Sequence, residues 1–416
     1  MPRAAGFHRH DTELACDGVP LAEIAAHVGT PVYVYSAPLV GERYSAIDRA
    51  FHGYPHAIHY ALKANSTLAI VRLLRALGSA ADANSIWEIE AARRAGFQPN
   101  DIVFTGVGKS PVELECAVAL GLKAINVESA GELTRIEAIA SRLGTVARVA
   151  VRVNPDIDAR SHPHISTGLK INKFGLPLEQ AAEVFDSIAT RRALRLVAVH
   201  LHVGSQITSL EPLRSAAAAA ARLTASLMQA GIPLEYVDVG GGLGIAYDDI
   251  APPPIEEYVS ALVEEVRPTN LPIVVEPGRA IAGPAGVLVA RVIDLKPRGD
   301  DGEFAIIDAG MTELLRPALY GAYHRIEPVS LRSGEVRRYE IVGPVCESAD
   351  VVGRDRDLPR LQVGDLVAIR DAGAYGSVMA SNYNRRPLPP EVLVENGRWD
   401  VIRRRQTIDD LLALES

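Results

Sequence analysis

At 416 residues the chain exceeds the usual size of one domain, so two domains, one of them large, are expected. Its formal net charge of −8 is moderate and its 43 lysines and arginines are scattered, which leaves no long-range field to gather nucleic acid and favours a small-molecule substrate. The opening MPRAAGFHRH has no apolar core and no run of about eighteen uncharged apolar residues occurs, so neither secretion nor a membrane span is indicated and a cytoplasmic location is expected. Three cysteines, Cys16, Cys116 and Cys346, are odd in number and far apart, which argues against a disulfide framework and leaves each as core filler or reactive thiol.

Residues 1–30 are too short to fold alone and are expected to pack on a β domain, where chain ends commonly meet. From about residue 57, short β-rich runs alternate with helical stretches: HYALK (59–63), SAADA (79–83), IVFTG (102–106), AINVE (124–128), VAVRVNP (149–155), LVAVHLHVG (196–204), VDVGGG (237–242) and IVVEPG (273–278). Eight such units over a little more than two hundred residues match a closed (β/α)₈ barrel, assigned to 31–278, with an open doubly wound sheet as the rival. From 279 to 416 the texture becomes strand and turn, as in GVLVARVIDLK, EFAIIDAG, RRYEIVGPV and DLVAIRDAG. The expected class is therefore α/β: a (β/α)₈ TIM-type barrel plus a second, mainly antiparallel β domain.

Strand interiors are apolar, but strand ends are repeatedly polar or glycine: Lys63, Asp82, Asn154 with Pro155, His200 with His202, Gly240 to Gly242, and Glu276 with Arg279. In a barrel all carboxyl ends converge on one face, so these distant residues would meet in one site. Singly, each has a plain structural reading: a solvated lysine, a satisfied core histidine, a tight glycine turn, a surface turn at Glu276-Pro277. Together they describe a coenzyme site. A lysine at a buried strand end can serve as a Schiff-base amine for pyridoxal 5'-phosphate. Glycine amides can cradle its phosphate, a carboxylate can keep the pyridine nitrogen protonated, and a flat imidazole can stack on the ring.

The runs YALKAN with Lys63, HLHVGSQ (200–206), GGGLG (240–244), EPGR (276–279), GPVCESAD (343–350) and AGAYGSVMASNYN (372–384) resemble, in order, the signature blocks of the fold-type III pyridoxal-phosphate decarboxylases, whose alanine-racemase-like barrel is joined to a β domain. STGLKINKFG (166–175) and DAGMTELLRPALY (308–320) resemble the diaminopimelate-decarboxylase branch of that family. The resemblance implies that Lys63 forms the Schiff base and His202 stacks on the ring. Ser205, Gly240, Gly241 and Gly242 would bind phosphate, with Tyr375 reaching the phosphate region. Glu276 would pair with the ring nitrogen, and Pro277, Gly278 and Arg279 would complete that cofactor segment. Arg279, Arg316 and Tyr320 would hold a distal substrate carboxylate, Glu347 with Tyr375 the rest of the distal end, and Cys346 would donate the proton.

The family's habit of completing each site with the CES segment of a second chain implies a homodimer with shared active sites. No metal is expected. The implied reaction is decarboxylation of meso-2,6-diaminopimelate to L-lysine and CO2. The rivals are a sister decarboxylase of ornithine, arginine or lysine type, or a barrel that carries the cofactor without turnover. Two segments depart from the family pattern. Asn84 to Ile89 replaces a glycine-rich turn, keeping an acid at Glu88 but adding the bulk of Trp87 near the cofactor, and Thr312-Glu313 stands where Asn-Asp is frequent.

Overall fold

The computed structural model describes residues 5–158, 167, 172–188, 190–299 and 302–415. They divide into two compact units, one of Tyr44–Ile245 with Ala251–Ala280, the other of Met1–Arg43 with Ala246–Ile250 and Ile281–Ser416.

The first unit is a closed parallel barrel. Its strands are β1 (His56–Ala61), β2 (Ala80–Ala83), β3 (Ile102–Phe104), β4 (Ala124–Val127), β5 (Ala147–Asn154), β6 (Leu194–His200), β7 (Tyr236–Asp238) and β8 (Ile273–Val275). Each pairs with the next, and β8 returns to β1 through Ile273 opposite His56 and Val275 opposite Ile58. Closure excludes the open doubly wound sheet, which would leave two edges.

Helix lengths between strands are set by local chemistry. Ser110 accepts from the Glu113 amide, the Glu113 carboxylate accepts from the Ser110 amide, Pro111 occupies the first turn, and Gly121 ends helix Pro111–Leu120 in the left-handed region. Ser85 and Ser129 cap helices Ile86–Ala95 and Ala130–Leu143 by accepting from the Glu88 and Glu132 amides, a contribution of about 1 kcal/mol each. The alanine-rich helix Leu210–Gln229 buries Ala216, Ala217 and Ala220, small residues that let it pack closely on helix Ile255–Val266.

Five of the eight strands stop two to four residues short of the ends of the runs that announce them. HYALK ends as strand at Ala61, and Leu62–Ala64 forms a 3₁₀ turn carrying Lys63. The run through His202 ends at His200, and VDVGGG ends at Asp238, where Gly240 takes φ 67° and breaks the ladder. Lys63, His202, Glu276 and the glycines after Asp238 therefore lie on the turns just beyond the strands, while Asp82 and His200 lie at the strand ends themselves.

The second unit is built on strand Gly286–Pro297, which pairs antiparallel with Val32–Ser36, Leu366–Ile369 and Glu303–Ile307. The sheet is mainly antiparallel but mixed: Glu303–Ile307 runs parallel to Val336–Val342, and Glu391–Glu395 parallel to Val32–Ser36. Val32–Ser36, which the sequence reading places with the barrel, belongs to this sheet. Residues 7–28 form a three-stranded ribbon and helix Leu21–Val28. Phe7, Leu14, Cys16 and Ile24 share a core with Val34, Val287 and Val392. Cys16 is core filler, its thiol pushed up by burial and then by the neighbouring Asp17. Among the described residues no helix is long and apolar enough to cross a membrane.

Candidate active site

The turn after β1 aims Lys63 at the end of β2. Its Nζ donates to Asp82 Oδ2 at 3.0 Å and to Asn84 Oδ1 at 3.4 Å. Asp82 is fully buried. Burial, the largest single influence, would raise its pKa, but the Lys63 charge and the hydrogen bonds from Thr105 and Lys63 together hold the carboxyl below its ordinary value. The adjoining turn is fixed by Glu88, whose Oε2 accepts from the Asn84 amide at 2.6 Å. Burial pushes Glu88 up to about 7. Trp87 does not crowd this place: it is 80% exposed, because it starts a helix whose inward positions are Ile89 and Ala92.

On the adjoining side of β1 lies β8, whose next residue is Glu276. A Cβ on Gly278 would meet the Ala64 Cβ at 2.8 Å, so glycine is what lets the two turns approach. Glu276 is buried, its Oε2 lies 3.2 Å from His200 Nε2, and among the described residues its Oε1 has no hydrogen-bond partner. Burial, reinforced by Asp82, pushes its pKa up to about 8. A buried carboxyl oxygen left unpartnered is costly unless a ligand completes it, and a protonatable ring nitrogen is such a group. The residues present fit pyridoxal phosphate on this ground.

His202, two residues past β6, accepts the Gly241 amide on Nδ1 at 3.1 Å. Its proton is therefore on Nε2, and burial, then the charges of Arg152 and Lys63, keeps the ring neutral. The glycines following β7 are dictated first by packing: a Cβ on Gly240 would strike the Leu201 carbonyl oxygen and one on Gly241 that of Glu276. Two of the three amides are used inside the turn, Gly240 donating to Asp238 Oδ1 at 3.0 Å and Gly241 to His202. A cation stands nearby in the fold of the same unit, since Arg279 Nη2 donates to Ser205 Oγ at 3.0 Å. Behind this rim, Arg152 donates to Glu128 Oε1 at 2.7 Å and lies 4.9 Å over the Phe174 ring, while Glu128 Oε2 accepts the Gly175 amide. Of STGLKINKFG, residues 166 and 168–171 lie outside the described residues.

The remaining expected site residues lie in the second unit. Arg316 is buried at the start of helix Arg316–Tyr320. Its Nη1 donates to His324 Nε2 at 2.8 Å and its guanidinium lies 4.4 Å over the Tyr247 ring. Tyr320 is half-buried at the helix end. Cys346 and Glu347 are exposed, and Glu347 Oε2 accepts from Tyr383 at 3.1 Å. Tyr375 sits at φ 56°, a left-handed conformation costing an L-residue roughly 1–2 kcal/mol.

Two anchors here carry no role in the sequence reading. Asp350 accepts from the Met311 amide at 2.6 Å and the Val345 amide at 2.7 Å, tying the Cys346 segment to the turn after strand Glu303–Ile307. Glu313 caps that same turn through the Gly310 amide at 2.7 Å, so the Thr312-Glu313 departure is a structural one. A carboxylate two to four residues from a motif cysteine was the available signal for Asp350.

A closed barrel with a lysine and a carboxyl of matching chemistry on neighbouring strand ends defines a pyridoxal-phosphate enzyme. The family described as pyridoxal-dependent decarboxylase, pyridoxal binding domain, matches residues 39–283. A diaminopimelate decarboxylase of Vibrio cholerae is 45% identical over 410 residues, 98% of each chain. The crystal structure of a diaminopimelate decarboxylase from Helicobacter pylori complexed with L-lysine is matched with TM-score 0.91 at 43% identity, covering 95% of this chain and 98% of that one. That of M. jannaschii in co-complex with L-lysine is matched with TM-score 0.94 at 36% identity, covering 99% and 98%. The chain belongs to the pyridoxal-dependent decarboxylases and, within them, to the diaminopimelate decarboxylase family.

Proposed function

We propose that the chain decarboxylates meso-2,6-diaminopimelate to L-lysine and CO2, working as a homodimer in which each site draws residues from both chains. The observation that carries the cofactor chemistry is the pairing of Lys63 beyond β1 with the unpartnered Glu276 oxygen beyond β8, since these strands are neighbours. Membership of the family supports the substrate, as does a set of distal groups, Arg316, Tyr320 and Glu347, that suits a far end bearing both a carboxylate and an amine. Ornithine, arginine and lysine carry no carboxylate there.

Bound pyridoxal phosphate supplies the electron sink for the bond that releases CO2. Lys63 Nζ would hold its aldehyde carbon, with Asp82 Oδ2 accepting a hydrogen bond from the free lysine. Glu276 Oε1 holds a proton at the ring nitrogen. His202, neutral and fixed by Gly241, offers a flat face to the ring. Ser205, its Oγ already accepting from Arg279, would keep its own O–H for a phosphate oxygen beside Gly242, and Tyr375 is the further phosphate residue that the family resemblance implies. Pro277 and Gly278 hold the turn between Glu276 and Arg279. Arg316, Tyr320 and Arg279 bind the distal carboxylate and Glu347 the distal amine. Cys346 Sγ gives the proton that replaces the carboxylate, and its exposure in one chain suits a residue offered to a second copy. Fixing the distal end turns binding energy into orientation of the reacting end.

Reduction of the pyridoxal-phosphate-loaded protein with borohydride, followed by peptide mapping, tests the site. The label is expected on Lys63; a label on any other lysine overturns the assignment.

A further inference from the structure

The barrel under Glu276 is unusual for its class. Such interiors are normally filled by layers of branched apolar side chains, yet here His59, Asp82, Asn126, His200, Asp238 and Glu276 point buried polar atoms inward. Three of them are close enough to act together: one donor or acceptor atom each from His200, Asp238 and Glu276 lies within 4.8 Å of the others. His200 is the one with a defined contact to Glu276, through Nε2 and Oε2 at 3.2 Å. Strand alternation explains why it can make it: His200 ends β6 facing the barrel interior, while His202 lies beyond the strand.

We propose that His200 is the positioning residue for Glu276: its Nε2–H ties down Oε2, leaves Oε1 for the ring nitrogen, and stabilises the carboxylate that remains once Oε1 has given its proton to that nitrogen. The step balances: the Oε1–H bond breaks, the nitrogen gains the proton, and the new negative charge on Glu276 is shared with the His200 N–H. The inference rests on Glu276 being the ring-nitrogen partner.

Charge bookkeeping around Glu276 explains the need. Asp82 and Asp238 on β2 and β7, with Glu128 farther off, all oppose a second carboxylate; Lys63 and Arg152 favour it. Burial outweighs the cations and leaves Glu276 proton-bound before the cofactor arrives. Asp238 is likewise held well above its ordinary value, by burial first and then by the negative charge of Glu276, so it adds no full charge beside the Glu276 carboxylate. His200 stays neutral because burial pushes it down to about 4. It can therefore donate to a carboxylate without adding a cation that would repel a protonated ring. A hydrogen bond from a neutral donor to a charged acceptor is roughly twice as strong as a neutral pair, and that difference favours the carboxylate form.

The test uses the holoenzyme loaded with pyridoxal phosphate carrying ¹⁵N in its ring. In the wild type the nitrogen is expected to resonate as protonated across neutral pH. His200→Ala is expected to move it measurably toward the unprotonated position, to weaken cofactor binding about tenfold, as for one lost hydrogen bond to a charged group, and to lower kcat more than KM. His200→Gln, which retains a side-chain N–H, recovers part of all three. Glu276→Gln is the control for the parent reading: an unchanged ring signal there sinks the ring-nitrogen role of Glu276 itself. If Glu276→Gln moves the signal while His200→Ala leaves signal and affinity at wild-type values, only the His200 proposal fails. Should the His200 variants not fold, ¹⁵N-histidine spectra of the wild-type holoenzyme decide. His200 is expected neutral with the proton on Nε2, and a cationic ring or an Nδ1–H tautomer overturns the proposal.

Discussion

Lys63 Nζ and Asp82 Oδ2 stand 3.0 Å apart across the ends of two adjacent barrel strands, a pair in which the lysine is one-third exposed and the aspartate fully buried. The asymmetry has a thermodynamic consequence. Removing the lysine leaves a buried carboxylate without its counter-charge, which costs roughly 3–5 kcal/mol for a fully buried pair and less here because solvent reaches Lys63. Removing both charges leaves no such orphan. Cofactor-free Lys63→Ala is therefore expected to melt several degrees below wild type, and the Lys63→Ala/Asp82→Asn double variant to regain most of the loss. Additive losses in the two single variants and the double variant would contradict the coupling.

Acid sensitivity of the barrel should report its buried imidazoles. Burial lowers His59 from 6.5 to about 3 and His200 from 6.5 to about 4, so the folded chain refuses protons that the unfolded chain accepts. Where the unfolded state binds more protons, stability rises with pH. The contribution of these groups is complete above the unfolded value of 6.5 and is lost as pH falls from there toward the folded values. His200→Gln removes one titrating group, so its melting temperature, measured on cofactor-free protein, should fall less steeply than wild type between pH 6.5 and pH 4.5. Parallel slopes would show that His200 does not titrate in this way.

Much of this site is legible in the sequence because a parallel barrel brings every strand's carboxyl end to one face, which makes Lys63, His202 and Glu276 stand out as polar residues ending apolar runs. Legibility fails where two partners compete for the same residue type. His200 is read as one of the converging strand-end residues but without a role, Asp238 is not singled out at all, and only the three-dimensional neighbourhood reveals that they flank Glu276. The glycines beyond β7 suggest free amides, but the structure uses two of them internally and needs the glycines for close backbone approach. Val32–Ser36 falls within the 31–278 span assigned to the barrel, and apolar character alone does not say which sheet a buried strand joins. Trp87 reads as bulk near the cofactor because its sequence position is near Asp82, yet the helix phase turns it to solvent.

Arg316 separates substrate binding from architecture. His324 and Tyr247 already hold its guanidinium, so Arg316→Ala should cost some stability, about 1–3 kcal/mol for a broken buried hydrogen bond to a charged group. If it also binds the distal carboxylate, kcat/KM for diaminopimelate should fall on the order of a hundredfold or more. Arg316→Lys should not restore activity, because an ammonium lacks the planar fork. A folded, cofactor-loaded Arg316→Ala enzyme with kinetics within a few-fold of wild type would remove Arg316 from the substrate site.

Shared active sites can be tested by mixing. Lys63→Ala and Cys346→Ala are each expected to be inactive, and subunit exchange between them should restore part of the activity, since one of the two hybrid sites inherits both intact side chains. No recovery after exchange has been verified by mass spectrometry would place Lys63 and Cys346 of one site in the same chain.

The most direct measurement is CO2 release by the purified, pyridoxal-phosphate-loaded protein offered meso-diaminopimelate, lysine, ornithine and arginine in parallel. The account predicts rapid release from meso-diaminopimelate with stoichiometric L-lysine, and rates with the other three lower by several orders of magnitude. Turnover of ornithine, arginine or lysine at a rate equal to or above that of diaminopimelate, or no release from any of the four by cofactor-loaded enzyme, would contradict it.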